Sequence, residues 1–240
     1  MEVHPPHHTI ESWRDFFVHM GTICLGLLIA IGLEQSVEAY HRAQERHELH
    51  DALDRDSREA IVDAGRSEAF ADARIAWLLA RIKAVQVALA SHAVLAPENP
   101  LHSAGFDVAE DPAFQAAKSS GALALLSQED IRAYSEADWV NVYLLKAYDD
   151  YVAARTNARR FDIELGPVAG PPDFSKADAA VLHAYLDLLT DELMADVRFR
   201  FWSQEVRAIE AALLRGERNL AKLQRAERSL HAPIAALGTN

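Results

Sequence analysis

Between Asp15 and Glu34 runs FFVHMGTICLGLLIAIGL, residues 16–33, eighteen residues without an Asp, Glu, Lys or Arg. At 1.5 Å per residue a helix of that length reaches roughly 27 Å, close to the thickness of a bilayer's hydrocarbon core. A core helix would be apolar on one stripe, whereas this stretch is apolar nearly all round. A cleaved leader would bring a basic start and a small-residue cleavage site. Here Arg14 stands against three acids, Glu2, Glu11 and Asp15, and LEQSVEAY follows the apolar run. The sequence therefore predicts one transmembrane helix over residues 12–34, and the rest of the chain is arranged around it.

Hydrophobic residues make up 50% of the chain and charged ones 25%, which describes a folded protein and not a disordered one. The net charge is −12; residues 1–33 hold three acids and one base, which leaves −10 on the remainder. Such a surface repels phosphates, and no Lys/Arg cluster offsets it, so nucleic acid is excluded as a partner. Cys24 is the single cysteine and lies inside the apolar run, so no intrachain disulfide forms. Near the span, Arg14 on one side faces Arg42 and Arg46 on the other, a positive-inside bias of one residue toward a cytoplasmic C-terminal part. His4, His7 and His8 against His41, His47 and His50 shift that balance when protonated.

In chain order, residues 1–11 read as a polar tail, with Pro5 and Pro6 delaying helix formation. His4, His7 and His8 there read as an adventitious metal grip. Ser12 is placed to cap the transmembrane helix. Trp13 and Arg14 suit the headgroup level, where an amphipathic ring and a snorkelling cation are both stable, and are the expected interfacial anchors. Residues 35–95 read as a long juxtamembrane helix, free of proline until its end, laced by pairs such as Glu38 and Arg42. It is expected to bend or break near Gly65, with Ile75, Leu78, Leu79, Ile82, Val85 and Leu89 as its core stripe. Residues 96–112 carry the prolines and glycine of an irregular connection. Residues 113–231 then complete a helical bundle with 35–95, and residues 232–240 form a tail.

Within the bundle, Asp111-Pro112 signals a helix start, with Asp as N-cap and Pro at N1. Ser127-x-x-Asp130 opens another helix that closes at Gly166-Pro167. Ser175-x-x-Asp178 is read as capping the last helix, whose coiled-coil seam runs from Leu182 through Leu213 and on through Leu220 and Leu223. No strand-like alternation appears. The fold class expected is all-α: an N-terminal transmembrane helix continuing into a long helix, followed by an antiparallel bundle.

Thr22, Gly26 and Ala30 recur every fourth residue and form a small-residue stripe, the expected helix contact within the membrane. His19 lies one turn earlier on nearly the same face. It reads as a neutral imidazole near the interface, with axial haem ligation as the sharper alternative. His41, His47 and His50, with Asp51 and the Glu38-x-x-His41 pair, are metal-ligand candidates. A di-iron bundle needs a second Glu-x-x-His and two more glutamates, so these side chains read as a solvated face. Tyr134, Trp139, Tyr143, Tyr148, Tyr151 and Phe161 follow helical spacing and read as core; a pocket lined by Trp139, Tyr143 and Tyr148 is the ligand-binding alternative. There is no glycine-rich phosphate loop, G-x-S-x-G elbow, H-E-x-x-H or zinc-type cysteine spacing, so no enzyme, metal or cofactor is expected.

At WRDFFVHMGTICLGLLIAIGLEQ, residues 13–35, the chain resembles a set of bacterial single-span membrane proteins of unknown function. They share a Trp-Arg-Asp-Phe entry and a Gly-Leu-Leu-Ile-Ala…Leu-Glu exit. AFQAAKSSGALALLSQEDIRAYSEAD, residues 113–138, is similar to a mid-chain Ser-Gly-x-Leu segment in that group. The resemblance implies one span in the bacterial inner membrane and a helical external domain, placed in the periplasm against the small charge bias. It transfers no activity and no functional residue. The expectation is a membrane-anchored accessory or scaffolding subunit whose partners are the lipid bilayer, copies of itself or other subunits of a membrane complex. A ligand-binding sensor, or a haem or metal protein using His19 or His41, His47 and His50, is the alternative.

Overall fold

The structure, a computed structural model, describes residues 13–98, 111–166, 171–219 and 221–224. The tails predicted at 1–11 and 232–240, the Ser12 cap, the histidines of the first tail and Leu220 lie outside these. The described elements are helical: α1 (Trp13–Ser91), α2 (Pro112–Ser120), a 3-10 turn (Ala122–Leu125), α3 (Gln128–Leu165) and α4 (Ala179–Leu214). The chain divides into two compact units, Met1–Glu48 and Leu49–Asn240.

In the first unit, the described residues are the opening part of α1, and every side chain from Trp13 to Glu48 except Phe16 is exposed. Ten large apolar side chains between Phe17 and Leu33 stand open, among them Leu28 at 67% and Phe17 at 63%. Burying one such side chain is worth about 1.5–3 kcal/mol, so an apolar segment whose side chains stand open among the described residues is poorly suited to water. The stretch is long and apolar enough to cross a membrane.

The second unit is built on seams that alternate steps of three and four. On α1 the buried positions are 53, 57, 60, 64, 67, 71, 74, 78, 81, 85 and 88. On α4 they include 182, 185, 189, 192, 196, 199, 203, 206, 210 and 213. A 3.5-residue repeat keeps one face of each helix turned to its neighbours along its whole length. Side-chain pairs between α3 and α4 step in opposite directions along the two helices: Phe161 with Tyr185, Asp150 with Arg198, Trp139 with Trp202. The same holds between α1 and α4, from Arg81 with Tyr185 through Arg74 with Asp196 to Glu68 with Arg207.

On α1 the seam departs from the expected stripe. Leu78 and Val85 are fully buried, but Leu79 is 53% exposed and Ile75, Ile82 and Leu89 are half-buried. The axis of the stripe is rotated toward Arg74 and Arg81, each 2% exposed, because a 3.5 repeat through Ala71, Leu78, Val85 and Ala88 carries the face past them. Toward its beginning the seam is made of small residues, Ser57, Ala60, Ala64, Ser67 and Ala71, and bulk comes from the facing rings of Tyr151 and Phe199, stacked at 5.5 Å. No break occurs at Gly65: α1 continues through it, and Ala64 beside it is buried.

Helix ends differ from the expected boundaries for local reasons. α1 stops at Ser91, four residues short of the predicted 95, because His92 adopts φ 52° and Ala93 N–H donates back to Ala88 O at 3.1 Å, a Schellman closure. α2 begins at Pro112 after Asp111 as expected, although the Asp111 side chain makes no cap bond. Ser127 caps α3 by accepting from Asp130 N–H at 3.0 Å, and α3 ends before Gly166. Ser175 does not cap α4. Asp178 does, accepting from Val181 N–H at 2.9 Å. The α4 seam ends at Leu214, where Gly216, at φ 79°, and the bond from Glu217 N–H to Ala212 O at 3.0 Å close the helix. Leu223 is fully buried, but it belongs to the short segment beyond that turn.

Candidate functional site

The predicted contact stripe lies in the first unit, on the exposed run of α1. Thr22 Oγ1 donates to Val18 O at 2.9 Å on its own helix, so its hydroxyl is satisfied without a neighbour. A Cβ added at Gly21, Gly26 or Gly32 meets no atom within 4 Å. Thr22, Gly26 and Ala30 thus stand as an exposed stripe of small residues at four-residue spacing along the helix. Trp13, 78% exposed, packs its ring against Phe16 and Phe17 at 5.9 and 6.0 Å, and Arg14 is exposed beside it. His19 is exposed at the start of the apolar run.

His41 and His47 are exposed and His50 half-buried. The His41 ring contacts Tyr40, and Glu38 is engaged by Arg42. Among the described residues no group of three or more His, Cys, Asp or Glu side chains is arranged to hold a metal ion. The aromatic residues named as a pocket separate into two clusters. Trp139 and Tyr143 pack with Trp202, the Tyr143 and Trp202 rings stacked at 4.8 Å, while Tyr148 sits with Tyr151 and Phe199. In both clusters the rings fill one another's space.

The chemistry that sequence reasoning missed is charged and buried in the second unit. Between an apolar cluster containing Ala71, Tyr151 and Phe199 and another containing Leu78, Leu189 and Tyr185 lies an ionic layer. Arg74 of α1 donates from Nη2 to Glu192 Oε1 at 2.8 Å and from Nε to Asp196 Oδ2 at 3.1 Å. Its guanidinium also stands 5.6 Å from the centre of the Tyr151 ring. Burial lifts the Glu192 carboxyl to about 7 and Asp196 to about 6, with Arg74 pulling both back.

One heptad on, Arg81 lies between the rings of Phe174 and Tyr185, at 5.5 and 5.6 Å, and donates from Nη1 to Ala96 O at 2.8 Å. It holds down the irregular stretch after α1, where Trp77 Nε1 also donates to Glu98 Oε1 at 3.0 Å. Asp162 of α3 is buried nearby with no hydrogen bond to Oδ1, and burial raises its carboxyl to about 6.

The signal for these residues was their phase. Arg74 and Arg81 are seven apart and in step with Leu78 and Val85, and Glu192 and Asp196 are in step with Leu189 and Phe199. The layer can fix helix alignment. It holds no nucleophile with an adjacent base, and its charged atoms are consumed by one another.

Searches against protein-family models, curated proteins and solved structures each return no match for this chain.

Proposed function

We propose that the chain is a non-enzymatic, membrane-anchored helical protein: an accessory or scaffolding subunit of a bacterial inner-membrane assembly. One observation carries the reading. The segment from Phe17 to Leu33 presents large apolar side chains on every face, and among the described residues they stand exposed, which suits lipid and not water. In this reading residues 12–34 cross the bilayer, Trp13 and Arg14 anchor the entry, and the small-residue stripe of Thr22, Gly26 and Ala30 takes a helix of another copy or of a partner subunit. The second unit is an antiparallel bundle on the periplasmic side. The reversed pairing of α3 and α1 with α4 supports that topology, and the 3.5-residue seams support a role in holding helices together. A sensor built on Trp139, Tyr143 and Tyr148 is disfavoured by rings that pack against each other.

The test is purification of the tagged full-length chain from its native membrane in mild detergent, with a carbonate wash of the membranes as control. Integral behaviour and stoichiometric co-purification of membrane subunits are expected. Release by carbonate would end the membrane reading, and a chain that is monomeric and partner-free would end the scaffold reading. Protease added to intact spheroplasts should degrade residues 34–240; protection until lysis would place them in the cytoplasm.

A further inference from the structure

Within the second unit, three carboxyl side chains from different parts of the chain lie around the start of α2, where it meets α1 and α3. Asp56 of α1 accepts from Ala113 N–H, in the first turn of α2, at 2.7 Å. Asp111, the residue before α2, accepts from Asn141 Nδ2 of α3. Glu210 of α4, 2% exposed, hydrogen-bonds Ser57 of α1 and lies close enough to feel both Asp111 and Asp56. Among the described residues no ion pair involves Asp56, Asp111 or Glu210. Asn141 is 4% exposed, and the amide that donates to Asp111 leaves its Oδ1 without any donor, an acceptor built into an already acceptor-rich site.

The surrounding charges do not neutralise it. From α1, Arg55 and Glu59 act on Asp56 in opposite senses. From α2, Lys118 is taken up by Asp138 of α3 at 2.9 Å, and Asp138 itself adds to the field on Asp111. Tyr134 of α3 is engaged by Arg218, which pairs with Asp130. The positive end of α2 favours one carboxylate at this point and not three.

We propose that this cluster is a pH-operated latch: α2 stays docked on α1 and α3 while the cluster keeps a proton, and lifts when the last shared proton leaves. α2 is the element that gives way because it has least to hold it. It is nine residues long, too short to persist alone, and buries only Phe114 and Ala117. α1 and α4 carry seams along most of their length. Lifting α2 takes Asp111 away from Glu210 and frees Asp56 for water.

The titration of the cluster agrees with this geometry. Burial, then the neighbouring Asp111, raises Glu210 to about 8, and burial raises Asp111 to about 6 despite the bond from Asn141. Both acids are raised above their ordinary values. The docked state is therefore favoured at low pH and loses that advantage as pH climbs, first through 6 and finally through 8.

Hydrogen exchange of the full-length protein in detergent, followed by mass spectrometry from pH 5.5 to 9 and corrected for intrinsic exchange, tests the latch. The peptide covering 112–120 is expected to lose protection as pH rises from 5.5 to 8, by about tenfold per pH unit where one proton is released per opening, and to level off above 8, while peptides of α3 and α4 stay protected. Glu210→Gln keeps the shape and cannot ionise, so it should hold α2 protected to pH 9. Should that variant fold poorly, Asp111→Asn replaces it, and the order of release in the unmodified chain still decides. Loss of α2 and α4 protection together, identical pH profiles for the unmodified and Gln chains, or full protection of α2 at pH 9 would each overturn the proposal.

Discussion

Replacing Arg74 with Met removes the cation that pairs with both Glu192 and Asp196 while keeping most of the buried volume. Arg74 is 2% exposed, and its partners are 6% and 0% exposed, so solvent screens the triad little. Breaking a buried ion pair by deleting one member costs about 3–5 kcal/mol when the charge left behind stays ionised. Whether it does depends on pH. With Glu192 at about 7 and Asp196 at about 6, both carboxylates are charged at pH 8 and both carry protons at pH 5. At pH 8 Arg74→Met must therefore either bury two unpaired charges or protonate them, and each unit of pKa rise costs about 1.4 kcal/mol. At pH 5 the carboxyls are already neutral, and the variant also relieves the burial of a cation, so the penalty should shrink toward zero. In the parent chain the raised carboxyls make stability fall as pH climbs from 5 through 7; the variant steepens that fall. The assay is urea unfolding of the full chain in detergent at pH 5, 6, 7 and 8, followed by tryptophan fluorescence and circular dichroism. A penalty of equal size at pH 5 and pH 8 would refute the triad reasoning and make Arg74 a packing residue only.

Gly26→Leu should weaken helix association within the membrane, read by crosslinking in detergent, whereas Leu27→Ile on another face should not; equal association in both would make the stripe chance. His92→Gly should stabilise the second unit by about 0.5–1 kcal/mol in urea, since a left-handed residue at φ 52° suits glycine better than histidine. No gain would mean that the His92 side chain makes a compensating contact. Gly166→Ala should destabilise by about 1–3 kcal/mol, because its Cβ would lie 2.9 Å from Pro171 O and 3.0 Å from the Pro172 Cα, both backbone atoms. An unchanged midpoint would show that the 171–173 turn moves aside freely.

What was legible in the sequence was whatever apolar mass and punctuation announce. The run Phe16–Leu33, the Asp111-Pro112 and Ser127 starts and the Gly166 stop all rest on composition or on cap chemistry within a few residues. The α1 seam was misplaced because half of it is alanine and serine and two of its members are arginines. A reading that looks for leucine and isoleucine drifts to Leu79, Ile75 and Ile82 on the neighbouring face. The burial of Glu192, Asp196 and Glu210 escaped for a related reason: nothing local marks a carboxylate as interior until the facing helix supplies its cation or its proton. Ser175 and Asp178 compete for the same cap, and Asp178 wins because the turn at Asp173–Ser175 is already closed by its own Asp173 side chain, which accepts from Ser175 N–H at 2.9 Å.

Arg74 and Arg81 stand one heptad apart on the same face, and that spacing makes the folding of the second unit a problem of counting. A slip of α1 by seven residues would present Arg81 to Glu192 and Asp196 in place of Arg74, with the ionic layer satisfied in the wrong alignment. The polar layer alone does not distinguish the two settings. The second gauge is Ser57 against Glu210: after the slip an alanine, Ala64, faces that carboxyl and its hydrogen bond is gone. Two marks at unequal distances along a repeating scale define one position where either alone defines several. Ser57→Ala, harmless by volume, should on this account slow correct refolding more than it lowers final stability, by prolonging the life of the misaligned chain.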